Sequence, residues 1–134
     1  MKSVTQEEPM GCGIACVSFL LKIPYKKAKS MFKHPEHSFT RGFYCGEIIN
    51  VLNKGGLKYS FSKINPEHKK MVNKIGTIVF TERNKNYPGG HFLIKTKKGW
   101  MNPWINFPLI TPAKSGFQIN LPGKVQWVIY PKEC

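Results

Sequence analysis

Aspartate is missing from this chain of 134 residues. A cysteine–histidine pair that needs a third, orienting group must therefore find it in Asn, Gln, Glu or a backbone carbonyl. Arginine is nearly missing too, with only Arg41 and Arg83 among 21 basic side chains, set against seven acidic ones for a net charge of +14. The lysines fall in scattered pairs such as Lys26-Lys27, Lys69-Lys70 and Lys97-Lys98 rather than in one stripe, and no RNA-binding aromatic signature accompanies them. Such a charge fits an acidic peptide or protein partner, and nucleic acid only through loose polyanion attraction. No apolar segment of signal-peptide type follows Met1, and no apolar run approaches membrane-spanning length, so a soluble, cytoplasmic protein is expected as encoded. Internal repeats and linkers are absent as well. Cys12, Cys16, Cys45 and Cys134 lack the spacing of a disulfide framework, which suits a reducing compartment. A zinc site of Cys12, Cys16, His34 and His37 would need Cys-x₃-Cys and His-x₂-His pairs, neither of them the usual ligand spacing. No metal and no cofactor is expected.

What is present describes one globular domain over residues 1–134, with 41 % hydrophobic residues and three tryptophans. Ile14, Val17, Leu20 and Leu21 recur at helical spacing, while Cys16 and Phe19 fill the other faces, so a helix starting at the Gly11-Cys12-Gly13 step should be buried nearly all round. A second short helix starts near Pro24 with Tyr25, Ala28 and Met31 or Phe32 inward. A polar loop over 33–42 leads to a third helix over 45–54, ended by Gly55-Gly56. After that the period changes: Leu57, Tyr59 and Phe61 alternate, a brief helix is read over 66–73, and 75–81 is β-rich. A hairpin joins 91–96 to 100–102 across Lys97-Lys98-Gly99, and 125–130 supplies the last strand. Residues 103–124, with four prolines, read as an irregular excursion. Helices first and antiparallel strands afterwards indicate an α+β fold.

Cys12 is the candidate nucleophile. At a helix N-terminus a thiol faces unpaired N–H groups and the positive dipole end, which favour thiolate and predict a lowered pKa. Gln6, six residues ahead in an extended segment broken by Pro9, is placed to donate to a developing oxyanion. The alternative is a structural cysteine under a helix cap. Among the histidines, His34, His37 and His68 sit in polar surroundings. His91 instead opens an apolar strand straight after Gly89-Gly90, and the hairpin brings it to the same end as Asn102, which would hold the imidazole in its working tautomer. Trp104, or Trp100, is the candidate shield for that bond. Glu47, residues 34–44 and the excursion after Asn102 are the candidate walls of a cleft.

Residues 6–16, Gln-Glu-Glu-Pro-Met-Gly-Cys-Gly-Ile-Ala-Cys, resemble the start of the bacteriocin-processing branch of the papain-like cysteine peptidases. Gly90-His91-Phe92-Leu93-Ile94 and Met101-Asn102-Pro103 resemble that family's later elements, in the order Cys, His, Asn. The resemblance implies a papain-like fold, its central helix packed on a C-terminal antiparallel sheet. It further implies Cys12 as nucleophile, His91 as general base and acid, Asn102 as orienting residue, and Gln6 with the Cys12 backbone N–H as oxyanion donors. The branch usually carries Asp where Asn102 stands, whereas papain uses Asn, often shielded by a Trp shortly after it, as Trp104 stands here. Amide hydrolysis of a peptide or protein through a thioester is the activity implied. The same machinery serves deamidases, transglutaminases and acyltransferase-type effectors or toxins, and a non-enzymatic basic binding module for an acidic protein or nucleic acid is the further alternative.

Overall fold

The computed structural model describes residues 2–132; Cys134 lies outside them. Among the described residues the order is α1 (Cys12–Leu21), α2 (Tyr25–Ser30), α3 (Cys45–Lys54), β1 (Tyr59–Lys63), β2 (Ile78–Thr81), β3 (His91–Thr96), β4 (Gly99–Asn102), β5 (Gly116–Gln118) and β6 (Val125–Pro131), with 3₁₀ turns at Pro35–Phe39 and Lys69–Met71. Helices precede strands, and every strand pairing is antiparallel, in the spatial order β1-β6-β2-β3-β4-β5. This is an α+β fold.

Helix α1 is central because its sequence leaves it no wet face. Ile14, Ala15, Cys16 and Val17 are fully buried, and Phe19, Leu20 and Leu21 pack at the margin of the same core. The helix stops at Lys22, which takes a left-handed conformation and returns its N–H to the Ser18 carbonyl. Helix α3 presents Ile48, Val51 and Leu52 to the same core, and its first turn is closed by Glu47, which accepts the Tyr44 backbone N–H at 2.8 Å.

Alternation along the strands sorts their side chains onto two faces. Ile78, Phe92, Ile94, Met101 and Ile129 join the helices, while Val79, Leu93 and Trp100 form a smaller cluster on the other side. By the same alternation Asn102 shares the face of Trp100 on β4, and His91 that of Leu93 on β3.

Five expectations change in detail. Pro24 lies just outside α2 as its N-cap, extended at ψ 149°. The helix read over 66–73 shrinks to the turn at Lys69–Met71, and β2 starts only at Ile78, because Gly76 at φ +93° breaks the chain direction. Most important for the site, the excursion over 103–124 contains a strand. This strand, β5, pairs with β4, Phe117 opposite Met101 and Gln118 opposite Trp100, so the segment extends the sheet beyond β4. The hairpin itself turns on Lys97-Lys98, one residue tighter than the spacing predicts, with Thr96 opposite Gly99.

Candidate active site

Cys12 is the first residue of α1, and its side chain is nearly enclosed at 6 % exposure. Across from it, the Phe92 backbone N–H donates to Sγ at 3.5 Å, so the thiol rests against the peptide that links His91 to Phe92. Strand β3 thereby carries the histidine to the helix N-terminus. Gly90 makes the approach feasible: it sits at φ +78°, and any Cβ there would overlap the Phe80 ring.

The imidazole of His91 is 2 % exposed, and its Nε2 lies 2.7 Å from Asn102 Oδ1. Asn102 Oδ1 also accepts the Trp104 backbone N–H at 2.9 Å, while Nδ2 donates to the Tyr87 hydroxyl at 3.0 Å and to Gln118 Oε1 at 2.7 Å. Tyr87 stacks flat on the His91 ring and passes its own O–H to the Trp104 carbonyl at 2.6 Å. Trp104 is thus tied to the pair through its backbone, and Tyr87 rather than a tryptophan covers the imidazole face.

Burial dominates the electrostatics. The Cys12 thiol is pushed up from its ordinary 9.0 to about 11, although the N–H groups of Phe92, Gly13 and Cys12 itself pull the other way. The lowered value predicted from the helix terminus is therefore overturned: loss of water outweighs the backbone N–H groups that face the thiol. His91 is driven down from 6.5 to about 4 by the same loss of water, partly opposed by Asn102. At neutral pH the site holds a thiol and a neutral imidazole, and among the described residues the two make no direct hydrogen bond.

Gln6 is close packed at 4 % exposure, but its amide is turned away from the role predicted for it. Both Nε2 hydrogens go to backbone carbonyls, those of Glu8 at 3.0 Å and Pro9 at 3.1 Å, and Oε1 is buried with no partner among the described residues. In this arrangement Gln6 splints the turn ahead of Cys12. That turn is held again by buried Glu8, which accepts the Tyr25 hydroxyl at 2.6 Å and pairs with Lys29 at 3.2 Å.

The cleft that reaches Cys12 has a volume of about 1030 Å³. Its walls come from residues 41–46 on one side and from Phe61, Phe80, Phe92 and Trp127 on the other. Both arginines of the chain, Arg41 and Arg83, line it, but no lysine does, so the excess charge lies elsewhere. Glu47 does not line it directly: it holds Arg41 through two bonds of 2.9 and 3.0 Å. The excursion after Asn102 borders a separate hollow of about 400 Å³ with Tyr87 and Gln118.

The remaining candidates stay apart from this site. His34 pairs with Glu36 at the surface, and His68 stacks on Tyr130. Among the described residues no group of three or more His, Cys or Glu side chains is arranged to hold a metal ion, and Cys12, Cys16 and Cys45 are free thiols.

Two residues of the site carry no role in the sequence analysis: Tyr87, and Gln118 inside the excursion over 103–124. Gln118 was detectable: Phe117-Gln118-Ile119 alternates between Gly116 and Asn120, the short-strand pattern. A scan against protein-family models finds no match for this chain, and a search of curated proteins likewise finds none.

Proposed function

We propose that the protein is a cysteine-dependent amide hydrolase of papain-like architecture that acts on peptides or proteins through a thioester. The observation that carries this reading is the placement of the Cys12 thiol, at a helix N-terminus and in a cleft, against the His91–Phe92 peptide, with His91 held from behind by Asn102. Cys12, His91 and Asn102, from three separate elements of the chain, would serve as nucleophile, base and orienting amide.

The chemistry follows from the neutral resting pair. As Cys12 Sγ forms its bond to the substrate carbonyl carbon, the thiol proton passes to His91 Nδ1. First-turn N–H groups of α1 face the oxyanion, and Gln6 joins them only if its amide leaves the Glu8 and Pro9 carbonyls. Collapse breaks the C–N bond, and the proton on Nδ1 goes to the leaving amine. Water then attacks the thioester, gives its proton back through His91, and releases the acid with Cys12 restored as a thiol. Phenylalanines and Trp127 in the cleft suit apolar side chains of an extended segment.

The test compares wild type with Cys12→Ala on a cellular peptide and protein pool, read by mass spectrometry. New N-termini that depend on Cys12 support hydrolysis. Cys12-dependent Gln-to-Glu conversion or isopeptide bonds would replace it with deamidation or transfer, and identical pools from both proteins would refute acyl transfer.

A further inference from the structure

We infer that Tyr87 and Gln118 are positioning residues that lock the Asn102 amide so that its oxygen faces His91, fixing the imidazole as the Nε2–H tautomer with a bare Nδ1, and that this frame accepts an amide at position 102 but not a carboxylate. The catalytic value of that tautomer rests on the acyl-transfer reading above; the tautomer itself does not.

The polarity is imposed by three backbone groups whose roles cannot reverse. The Trp104 N–H can only donate, so the Asn102 atom 2.9 Å from it is oxygen. The Trp104 carbonyl can only accept, so the Tyr87 hydroxyl donates to it at 2.6 Å and offers a lone pair to Asn102 Nδ2 at 3.0 Å. The Asn120 carbonyl takes the Gln118 Nε2–H at 2.6 Å, which turns Gln118 Oε1 toward Asn102 Nδ2 at 2.7 Å. Both amide hydrogens of Asn102 are then used, and only Oδ1 remains for the ring. A 2.7 Å contact between Oδ1 and Nε2 requires hydrogen on Nε2. A neutral imidazole has one N–H, so Nδ1 carries the lone pair that a neighbouring thiol needs.

Tyr87 adds a second restraint. Its ring covers one imidazole face at 3.9 Å, and a turn of His91 about its Cβ–Cγ bond would set carbon against Asn102 Oδ1. A carboxylate at 102 would meet acceptors on two sides. Tyr87 would have to withdraw its O–H from Trp104, and Gln118 would have to reverse its amide and abandon Asn120. Buried acceptors facing acceptors are strongly unfavourable.

The experiment uses the full chain labelled with ¹⁵N-histidine, with His91→Gln to assign the ring signals, and p-nitrophenyl acetate as the acyl probe. Wild type is expected to show an unprotonated Nδ1 and a protonated Nε2 at neutral pH. Gln118→Leu and Tyr87→Phe should shift the ring signals toward a mixture of tautomers and slow acylation of Cys12 about ten- to hundredfold, the usual scale for residues behind a reacting group. Gln118→Glu, which still offers an acceptor to Asn102, should restore the wild-type ring signals where Gln118→Leu does not. Asn102→Asp should raise the pH at which His91 titrates without restoring the rate. An Nδ1–H tautomer in wild type, or unchanged ring signals in both Gln118→Leu and Tyr87→Phe, would overturn the inference. The two claims fail separately: ring signals as expected with no Cys12 acylation refute the acyl-transfer reading alone, whereas Cys12-dependent acylation with ring signals indifferent to Gln118 and Tyr87 refutes the positioning alone.

Discussion

The Tyr87 and His91 rings lie face to face, with 3.9 Å between centroids and planes 5° from parallel. That contact removes water from one imidazole face, and the core removes it from the rest, so the charged form of His91 is held off until about pH 4.

Acid should therefore weaken the fold through this residue. In the unfolded chain a histidine takes its proton near 6.5, but in the fold only near 4, so the unfolded state binds more protons between those values and stability falls as the pH drops through that window. Between pH 7 and 4.5 the loss traceable to His91 should be about 2 to 3 kcal/mol. Urea unfolding of wild type and His91→Gln at both pH values checks it: the variant should lack that part of the acid slope. Equal slopes would show that the ring is not buried neutral.

Gly90 and Gly56 separate two costs of the same substitution. Both have positive φ, +78° and +91°, but a Cβ at Gly56 meets nothing within 4 Å, whereas one at Gly90 overlaps the Phe80 ring. Gly56→Ala should cost about 1 kcal/mol, the price of the left-handed backbone alone. Gly90→Ala should cost about 2 to 4 kcal/mol, because the Phe80 ring is packed on Phe92 at 4.7 Å and cannot move freely. Thermal melts of both variants decide it, and equal losses would mean that the cleft wall yields.

What the sequence made legible follows from periodicity and sharp breaks. Helix α1 matches because apolar residues on every face leave burial as the only outcome, and α3 matches because Ile48, Val51 and Leu52 sit on one face ahead of Gly55-Gly56. The His91–Asn102 bond was legible because a short hairpin fixes which residues share an end. Beyond that, short-range pattern fails. Strand β5 has only three residues and is held by pairing with β4, a long-range event that prolines on either side obscured. The thiol pKa departs from the sequence expectation because a helix terminus is a local signal, while burial against β3 is a tertiary one. The spacing predicts Gln6 as an oxyanion donor beside Cys12, but its amide direction depends on the Glu8 and Pro9 carbonyls, which no spacing reveals.

Gln6 offers a test of that splint. Removing the amide leaves two carbonyls of a buried turn without donors, so Gln6→Ala should lower stability by about 1 to 2 kcal/mol. Gln6→Glu keeps the shape but sets carboxylate oxygens against the same carbonyls, and should cost more than the alanine, about 3 kcal/mol or above at neutral pH. Denaturation midpoints rank the two. A glutamate variant as stable as wild type would show that the amide hydrogens are not directed at Glu8 and Pro9.

Cys12 itself separates a thiol that is ionised at rest from one that loses its proton during attack. With the group pushed up to about 11, its thiolate population near neutrality is on the order of one part in ten thousand, and it rises tenfold with each pH unit. Alkylation by iodoacetamide should climb steadily from pH 6 to pH 10, with no plateau at acid pH of the kind that a thiolate–imidazolium pair gives. Cys45, which also lines the cleft, is raised further, to about 12, so Cys12 should carry the larger thiolate fraction and react faster than Cys45 at every pH in that range. Peptide mapping after timed alkylation measures both rates in one sample. A Cys12 rate that is already level below pH 6 would mean that His91 holds the proton before substrate arrives, whereas a rate no greater than that of Cys45 would remove any ground for a special thiol at the head of α1.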